Sequence, residues 1–150
     1  MVYLEKKNLH TVTVGNYVTS VNGMIHPDRI MVEHDFLYML DGEMEVWEDE
    51  IPYVLKNDDL LILTAGRHHY GKKLCTAENR HMYIHVVPSP AEEASNILSV
   101  PPAQGASLFS CPSLVHCAAA PQIRQNMQEM IFVLLSHSSE RDTRLSLLFS

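Results

Sequence analysis

Histidine is the side chain best able to carry protons or hold a metal near neutral pH, and this chain has nine. Among them, His26, His34, His68, His69, His81 and His85 lie within the strand-like first part of the sequence. His68 and His69 are adjacent, so in an extended segment they point to opposite faces and at most one can face a given cavity. The alternative for any of them is a buried ring hydrogen-bonded to backbone. A zinc site needs three or four converging ligands. The cysteines offer no such pattern: Cys75, Cys111 and Cys117 are odd in number and widely spaced, and they read as reduced thiols. Tyr38, Trp47, Tyr53 and Tyr83 stand in strand-like segments, where they could wall a sugar or aromatic ligand or simply pack in a core. No Ser-His-Asp or Cys-His nucleophile pattern and no glycine-rich phosphate loop occurs. Glu43 and Glu45 on a strand-like run read as a solvated face.

The elements that must hold these residues divide the chain in two. Residues 10–87 are strand-like and residues 91–150 helix-like with loops. The runs 10–14, 16–21 and 29–32 are rich in β-branched residues. Asp41-Gly42 lies between two β-prone runs, a signal for a type I′ hairpin. Asp49-Glu50 marks a second tight turn, and Pro52 after it suits an edge strand or a strand start. Asp59 to Thr64 is a short apolar strand, buried on both sides, and Ala65-Gly66 turns the chain. His81 to Val87 is the last strand expected. Ser89 is a candidate N-cap for a helix over 91–98, with Glu92 and Glu93 in the first turn. Pro101-Pro102 ends that helix, and a loop containing Gly105 follows. Pro121 opens a second helix, on which Ile123, Met127, Met130, Ile131 and Leu134 form an apolar stripe at helical spacing. A third helical piece over 142–150 carries Leu145, Leu148 and Phe149 and has no C-cap glycine, as a chain interrupted in mid-helix would.

Length and charge exclude some roles. At 150 residues, 46% of them hydrophobic, the chain suits one domain with a real core, or one domain plus an appended helical piece. A net charge of -7 makes it a poor grip for phosphate backbones by itself. No apolar run approaches the ~20 residues that span a bilayer, and the first residues contain no signal-peptide core. A cytoplasmic protein with no membrane role is expected.

Three stretches carry a family likeness. Arg29 is followed by Asp35-Phe-Leu-Tyr-Met-Leu-Asp-Gly42, then by Tyr53-Val-Leu-Lys-Asn-Asp-Asp-Leu-Leu-Ile-Leu-Thr-Ala-Gly66 with His69, and finally by Tyr83-Ile-His85. In this the chain resembles the N-terminal cupin domain of AraC-family transcription regulators, well over roughly residues 15 to 90 and more loosely beyond. The resemblance implies a mainly β fold, a cupin double-stranded β-helix (jelly-roll) barrel over 1–90, followed by a helical dimerisation segment over 91–150. It also implies a helix-turn-helix DNA-binding domain beyond Ser150. Metal-binding cupins place a His-x-His pair, an acidic residue and a later histidine in the barrel. Here Arg29 and Met31 stand where the two histidines would be, and only Asp35 and His69 remain.

On this resemblance the chain is expected to be no enzyme but the effector-sensing and dimerising part of a regulator. A small molecule, sugar-like or a small organic acid, would bind in the barrel to Arg29, Asp35, Tyr38, His69, Tyr83 and His85. Arg29 would meet a ligand carboxylate or hydroxyls, or be held by Asp35, since a guanidinium inside a barrel needs a partner; the alternative is a surface arginine at a strand start. Ile123, Met127, Met130, Ile131 and Leu134 would form the seam of a homodimer or pack on the barrel, and residues 1–14 could be a mobile arm. DNA would be touched only through the domain beyond 150. No cofactor is expected. The rivals are a stand-alone cupin enzyme acting on a sugar or small acid with a divalent metal, and a barrel that dimerises and binds nothing.

Overall fold

The computed structural model describes residues 1–6, 9–101, 107–136 and 140–150. Apolar alternation and two-sided burial set its strands. β4 (His34–Asp41) and β7 (Asp59–Leu63) are buried almost throughout, because each has an apolar layer on both faces. They lie in a five-stranded antiparallel sheet with β2 (Val12–Ser20), β9 (Asn79–Val86) and β11 (Leu114–His116), in the order β11-β7-β4-β9-β2. A four-stranded sheet, order β3-β8-β5-β6, contains β3 (Arg29–Ile30), β5 (Met44–Glu48), β6 (Ile51–Leu55) and β8 (His68–Tyr70).

The sheets face one another across a core of Leu37, Met39, Met44, Val46, Leu55, Leu61 and Leu63. Two antiparallel sheets closed on a shared core in this order make a cupin-type jelly-roll barrel. The opposite face of the five-stranded sheet carries Phe36, Tyr38, Leu60, Ile62, Met82 and Ile84, which pack with the later helices. Those helices are α1 (Pro90–Leu98), α2 (Pro121–Leu135) and α3 (Arg141–Phe149). Among the described residues no helix is long and apolar enough to cross a membrane.

Several turns agree with the sequence reading. Asp49-Glu50 links β5 to β6 as a two-residue hairpin, and Asp49 takes the left-handed conformation at φ 51°. β6 is the sheet edge, where Pro52 loses no ladder bond. Ser89 caps α1 in a full capping box with Glu92.

Asp41-Gly42 is not a hairpin. β4 pairs with β7 and β9, and β5 with β6 and β8. Gly42 alone has positive φ at this turn, whereas a type I′ turn needs it at both central residues. The turn is a corner that passes the chain from one sheet to the other, because the two-sided apolar run of β4 needs cover that the half-buried β5 cannot supply.

The stretch between α1 and α2 is more than loop. β10 (Leu108–Cys111) pairs with β1 (Val2–Glu5), and β11 extends the five-stranded sheet on β7. Pro102 and Gly105 lie outside the described residues. β1 is tied down rather than presented as an arm: Tyr3 exchanges two hydrogen bonds with the Asn96 amide, and its neighbour Glu5 donates its N–H to Glu92.

The apolar stripe of α2 faces its own sheet. Met127, Met130 and Ile131 are buried there, with Ile123 and Leu134 packed beside them. Met127, Met130 and Ile131 are therefore covered within one chain, as the alternative of packing on the barrel expects, while Ile123 and Leu134 stay half-buried. The large apolar side chains that α2 and α3 leave exposed are Phe132, Leu135 and Leu147.

Candidate functional site

Period-two alternation decides which side chains enter the barrel. On β4, Asp35, Leu37 and Met39 point in, and on β9, His81, Tyr83 and His85 do. The register sets Asp35 opposite His85, Leu37 opposite Tyr83 and Met39 opposite His81. From the facing sheet, β3 and β8 bring Arg29 opposite His69. The segment before β3 adds His26. Together with Val18, Met24 and Pro27, the residues His26, Arg29, Asp35, Leu37, His81, Tyr83 and His85 line a cavity of ≈ 170 Å³. Five of the six residues expected to meet a ligand thus come together at one end of the barrel: Arg29, Asp35, Tyr83 and His85 in the cavity wall, and His69 directly behind it against His26.

Tyr38 does not join them. Even-numbered positions of β4 face the helices, so its ring lies in the core beneath α2 and its hydroxyl donates to Asp58 at 3.0 Å. Trp47 and Tyr53 are also absent from the cavity wall. Trp47 lies on the outer face of the four-stranded sheet with Tyr70 and Lys72. His26 and His81, though among the histidines of the first part, are not in the expected ligand-contact set. For His81 a signal existed, since it shares strand parity with Tyr83 and His85. For His26 there was none, because its segment has no period and reaches the cavity only through tertiary packing.

One pair organises the site. Arg29 Nη2 donates to Asp35 Oδ2 at 3.1 Å, with Asp35 only 2% exposed. Three buried polar atoms nearby have no hydrogen-bond partner among the described residues: Arg29 Nε, Asp35 Oδ1 and His85 Nε2. His85 Nε2 is 3.6 Å from Asp35 Oδ1, beyond hydrogen-bond length. On its other side, His85 Nδ1 is 3.5 Å from Glu33, which Thr13 holds at 2.7 Å.

Burial sets the charge states. It lifts the Asp35 carboxyl to about 6, against the opposing charge and hydrogen bond of Arg29. It drives His26 down to about 3, helped by His69 and Arg29, and His69 down to about 4, helped by Arg29. His81 falls to about 4 by burial alone, and His85 is lowered by burial too, with Glu33 opposing. At neutral pH the cavity therefore holds neutral imidazoles, one carboxylate and the Arg29 cation.

The residues do not fit the divalent metal of metal-binding cupins. His26 Nε2 and His69 Nδ1 are 2.8 Å apart and spend a nitrogen each on one another. The carboxylate of Asp35 is engaged by a guanidinium, whose charge repels a second cation at that spot. Among the described residues no group of three or more His, Cys, Asp or Glu is arranged to hold a metal ion. The arrangement instead offers a donor at Arg29 Nε, an acceptor at Asp35 Oδ1, a ring nitrogen at His85 that can act either way, and the Tyr83 ring as a wall.

No family model matches the chain, and no curated protein matches it. Among solved structures it is similar to an RmlC-like cupin from Shewanella frigidimarina, at 16% identity over 54% of this chain and 69% of that one, TM-score 0.45. It is also similar to the Cnp3 cupin domain of Schizosaccharomyces pombe, at 15% identity over 61% and 71% of the two chains, TM-score 0.45. A third likeness is to a predicted oxalate decarboxylase from Thermotoga maritima, at 13% identity over 53% and 69%, TM-score 0.43. These likenesses carry no argument about ligand or chemistry, and the fold rests on the strand order described above.

Proposed function

We propose that the barrel binds a small hydroxylated organic acid, and that the chain is the ligand-sensing part of a transcription regulator of the AraC type. The observation that carries the binding reading is that Arg29, Asp35 and His85, each with one buried polar atom that lacks a partner among the described residues, line one small cavity. Unpaired buried polar groups are destabilising by about 1–3 kcal/mol each, so a ligand that satisfies them gains affinity. A ligand carboxylate suits Arg29 Nε and a ligand hydroxyl suits Asp35 Oδ1. The cavity volume of ≈ 170 Å³ restricts the molecule to a few carbons, well below the ~300–1,000 Å³ of drug-sized sites.

The sensing half of the proposal is supported by strand geometry. β4 and β9 present Asp35 and His85 inward and the neighbouring Phe36 and Ile84 outward, against the helical layer. Phe36 meets the α3 residue Phe149 edge-to-face at 5.2 Å. A ligand that shifts these strands shifts the helix contacts by the same motion. Nothing in this route requires catalysis. DNA contact would come through a further domain, and a homodimer would use the half-buried Ile123 and Leu134 together with the exposed Phe132 and Leu135 of α2.

The experiment is a calorimetric and thermal-shift screen of two- to six-carbon hydroxy acids. Binding stabilises the fold as RT ln(1 + [L]/Kd), about 2.7 kcal/mol at 100 Kd. Arg29→Ala is expected to weaken the best ligand at least ~30-fold, a loss of about 2 kcal/mol. Binding unchanged in that variant sinks the reading. Stoichiometric metal in the purified protein, by mass spectrometry, would favour the enzyme instead.

A further inference from the structure

A second cavity of ≈ 440 Å³ lies on the other side of the five-stranded sheet, between it and the helices. Its walls are mainly apolar: Phe36, Ile62 and Ile84 from the sheet, Met127 and Met130 from α2, and Phe149 from α3, with Glu5, Lys6 and Asn126 also in the lining. The cavity is open to solvent on one side and leaves this apolar wall without the close packing usual beneath a helix. Methionine walls adapt to the shape of whatever fills them.

One buried polar ring enters this apolar wall. His10 is 3% exposed, lines the cavity and meets Phe149 edge-to-face at 4.9 Å. Its Nε2 is 2.5 Å from Glu92 Oε1. Glu92 is fully buried and takes two backbone N–H groups, those of Glu5 and Ser89. His34 approaches its other oxygen at 3.6 Å and accepts the Ala65 N–H on Nδ1, so it presents Nε2–H to the carboxylate. A carboxylate so surrounded is an acceptor only, so His10 donates its Nε2–H to it. The other ring nitrogen, Nδ1, has no hydrogen-bond partner among the described residues.

We infer that this cavity binds a neutral, largely apolar molecule with one hydroxyl group, of the phenol or alkanol class, whose hydroxyl hydrogen-bonds with His10 Nδ1. An acid of the same shape is disfavoured, because the Glu5 carboxylate lines the cavity and that of Glu92 stands behind His10, while the lysine of the lining, Lys6, is exposed to solvent. Bound there, the molecule touches α2 and α3 directly, on the sheet face opposite the barrel cavity.

The test is calorimetry on the whole chain with 4-propylphenol, its methyl ether 4-propylanisole, and 4-propylbenzoate. The phenol is expected to saturate below about 1 mM, the ether to bind about tenfold more weakly and the benzoate not at all. Methyl NMR is expected to show the phenol shifting Met127 and Met130. Ile123→Trp at the half-buried rim and Cys111→Phe on the facing wall fill the cavity and are expected to abolish binding. Wild-type methyl shifts decide the matter even where a variant fails to fold. No saturation by the phenol, equal binding of all three probes, or shifts at Met24 in the barrel cavity instead of Met127 and Met130 overturns the assignment.

Discussion

Asp35 is the residue whose charge the barrel tolerates least. Its carboxyl sits at about 6 because burial outweighs Arg29. A raised carboxyl pKa means that the folded state binds a proton the unfolded chain has released, so above about pH 6 the ionised group opposes folding. Asp35→Asn removes that charge while keeping an acceptor for Arg29. Urea unfolding is expected to show the variant more stable than wild type by about 1–3 kcal/mol at pH 8, with the gain vanishing near pH 4 where Asp35 is itself protonated. A variant less stable than wild type at pH 8 would mean that the Arg29 ion pair contributes more than burial removes. His69 was legible at this scale from its position after the Gly66 turn. Tyr38 was misread, because its face depends on which layer covers each side of β4, and that is absent from the local sequence.

At the scale of elements, close approach depends on single small residues. Gly15 sits in the middle of β2, where α2 crosses. A Cβ there would lie 2.8 Å from the Leu134 side chain and 2.9 Å from the Tyr83 carbonyl oxygen. Leu134 can move but the backbone carbonyl cannot, so Gly15→Ala is expected to lift α2 and lower stability by about 1–3 kcal/mol. Hydrogen exchange should place the loosening in α2 rather than in β5 and β6. The strand run 10–21 was readable, but the glycine that breaks its β-branched pattern acquires a purpose only from the helix above it. Capping went the other way: Ser89 and Glu92 announced α1 through local chemistry alone. The β10 and β11 segments did not announce themselves, since each is a short strand recruited by a partner far along the chain.

For the whole molecule, the buried histidines make stability depend on acid. His26, His69 and His81 have folded pKa values near 3, 4 and 4, all below the ordinary 6.5. The unfolded chain therefore takes up protons that the folded one refuses, so their contribution is complete above about pH 6.5 and falls as pH drops toward 4. Asp35 works in the opposite sense between about 6 and 3.8, and offsets a part. The unfolding free energy is expected to fall steeply from pH 6.5 to 4.5, by up to ~1.4 kcal/mol per histidine per pH unit, and the denaturant midpoint with it. His81→Phe should flatten that slope, and a pH-independent midpoint over this window would contradict the buried neutral cluster.

What the sequence alone determined is what local chemistry can specify: a β-rich first half, three later helices with their starts and the Asp49-Glu50 turn; the candidates Arg29, Asp35 and His69 came from the family resemblance. Turn geometry, capping and strand alternation act over a few residues, so they can be read from a few residues. The tertiary structure decided which sheet each strand joins, that Asp41-Gly42 is a corner and not a hairpin, and that Met127, Met130 and Ile131 of α2 are covered by the chain's own barrel. It also brought His26 and His81 to the cavity and left a second, apolar space beneath the helices. Each of those outcomes depends on which layer covers which face, a choice made by burying apolar surface between segments tens of residues apart.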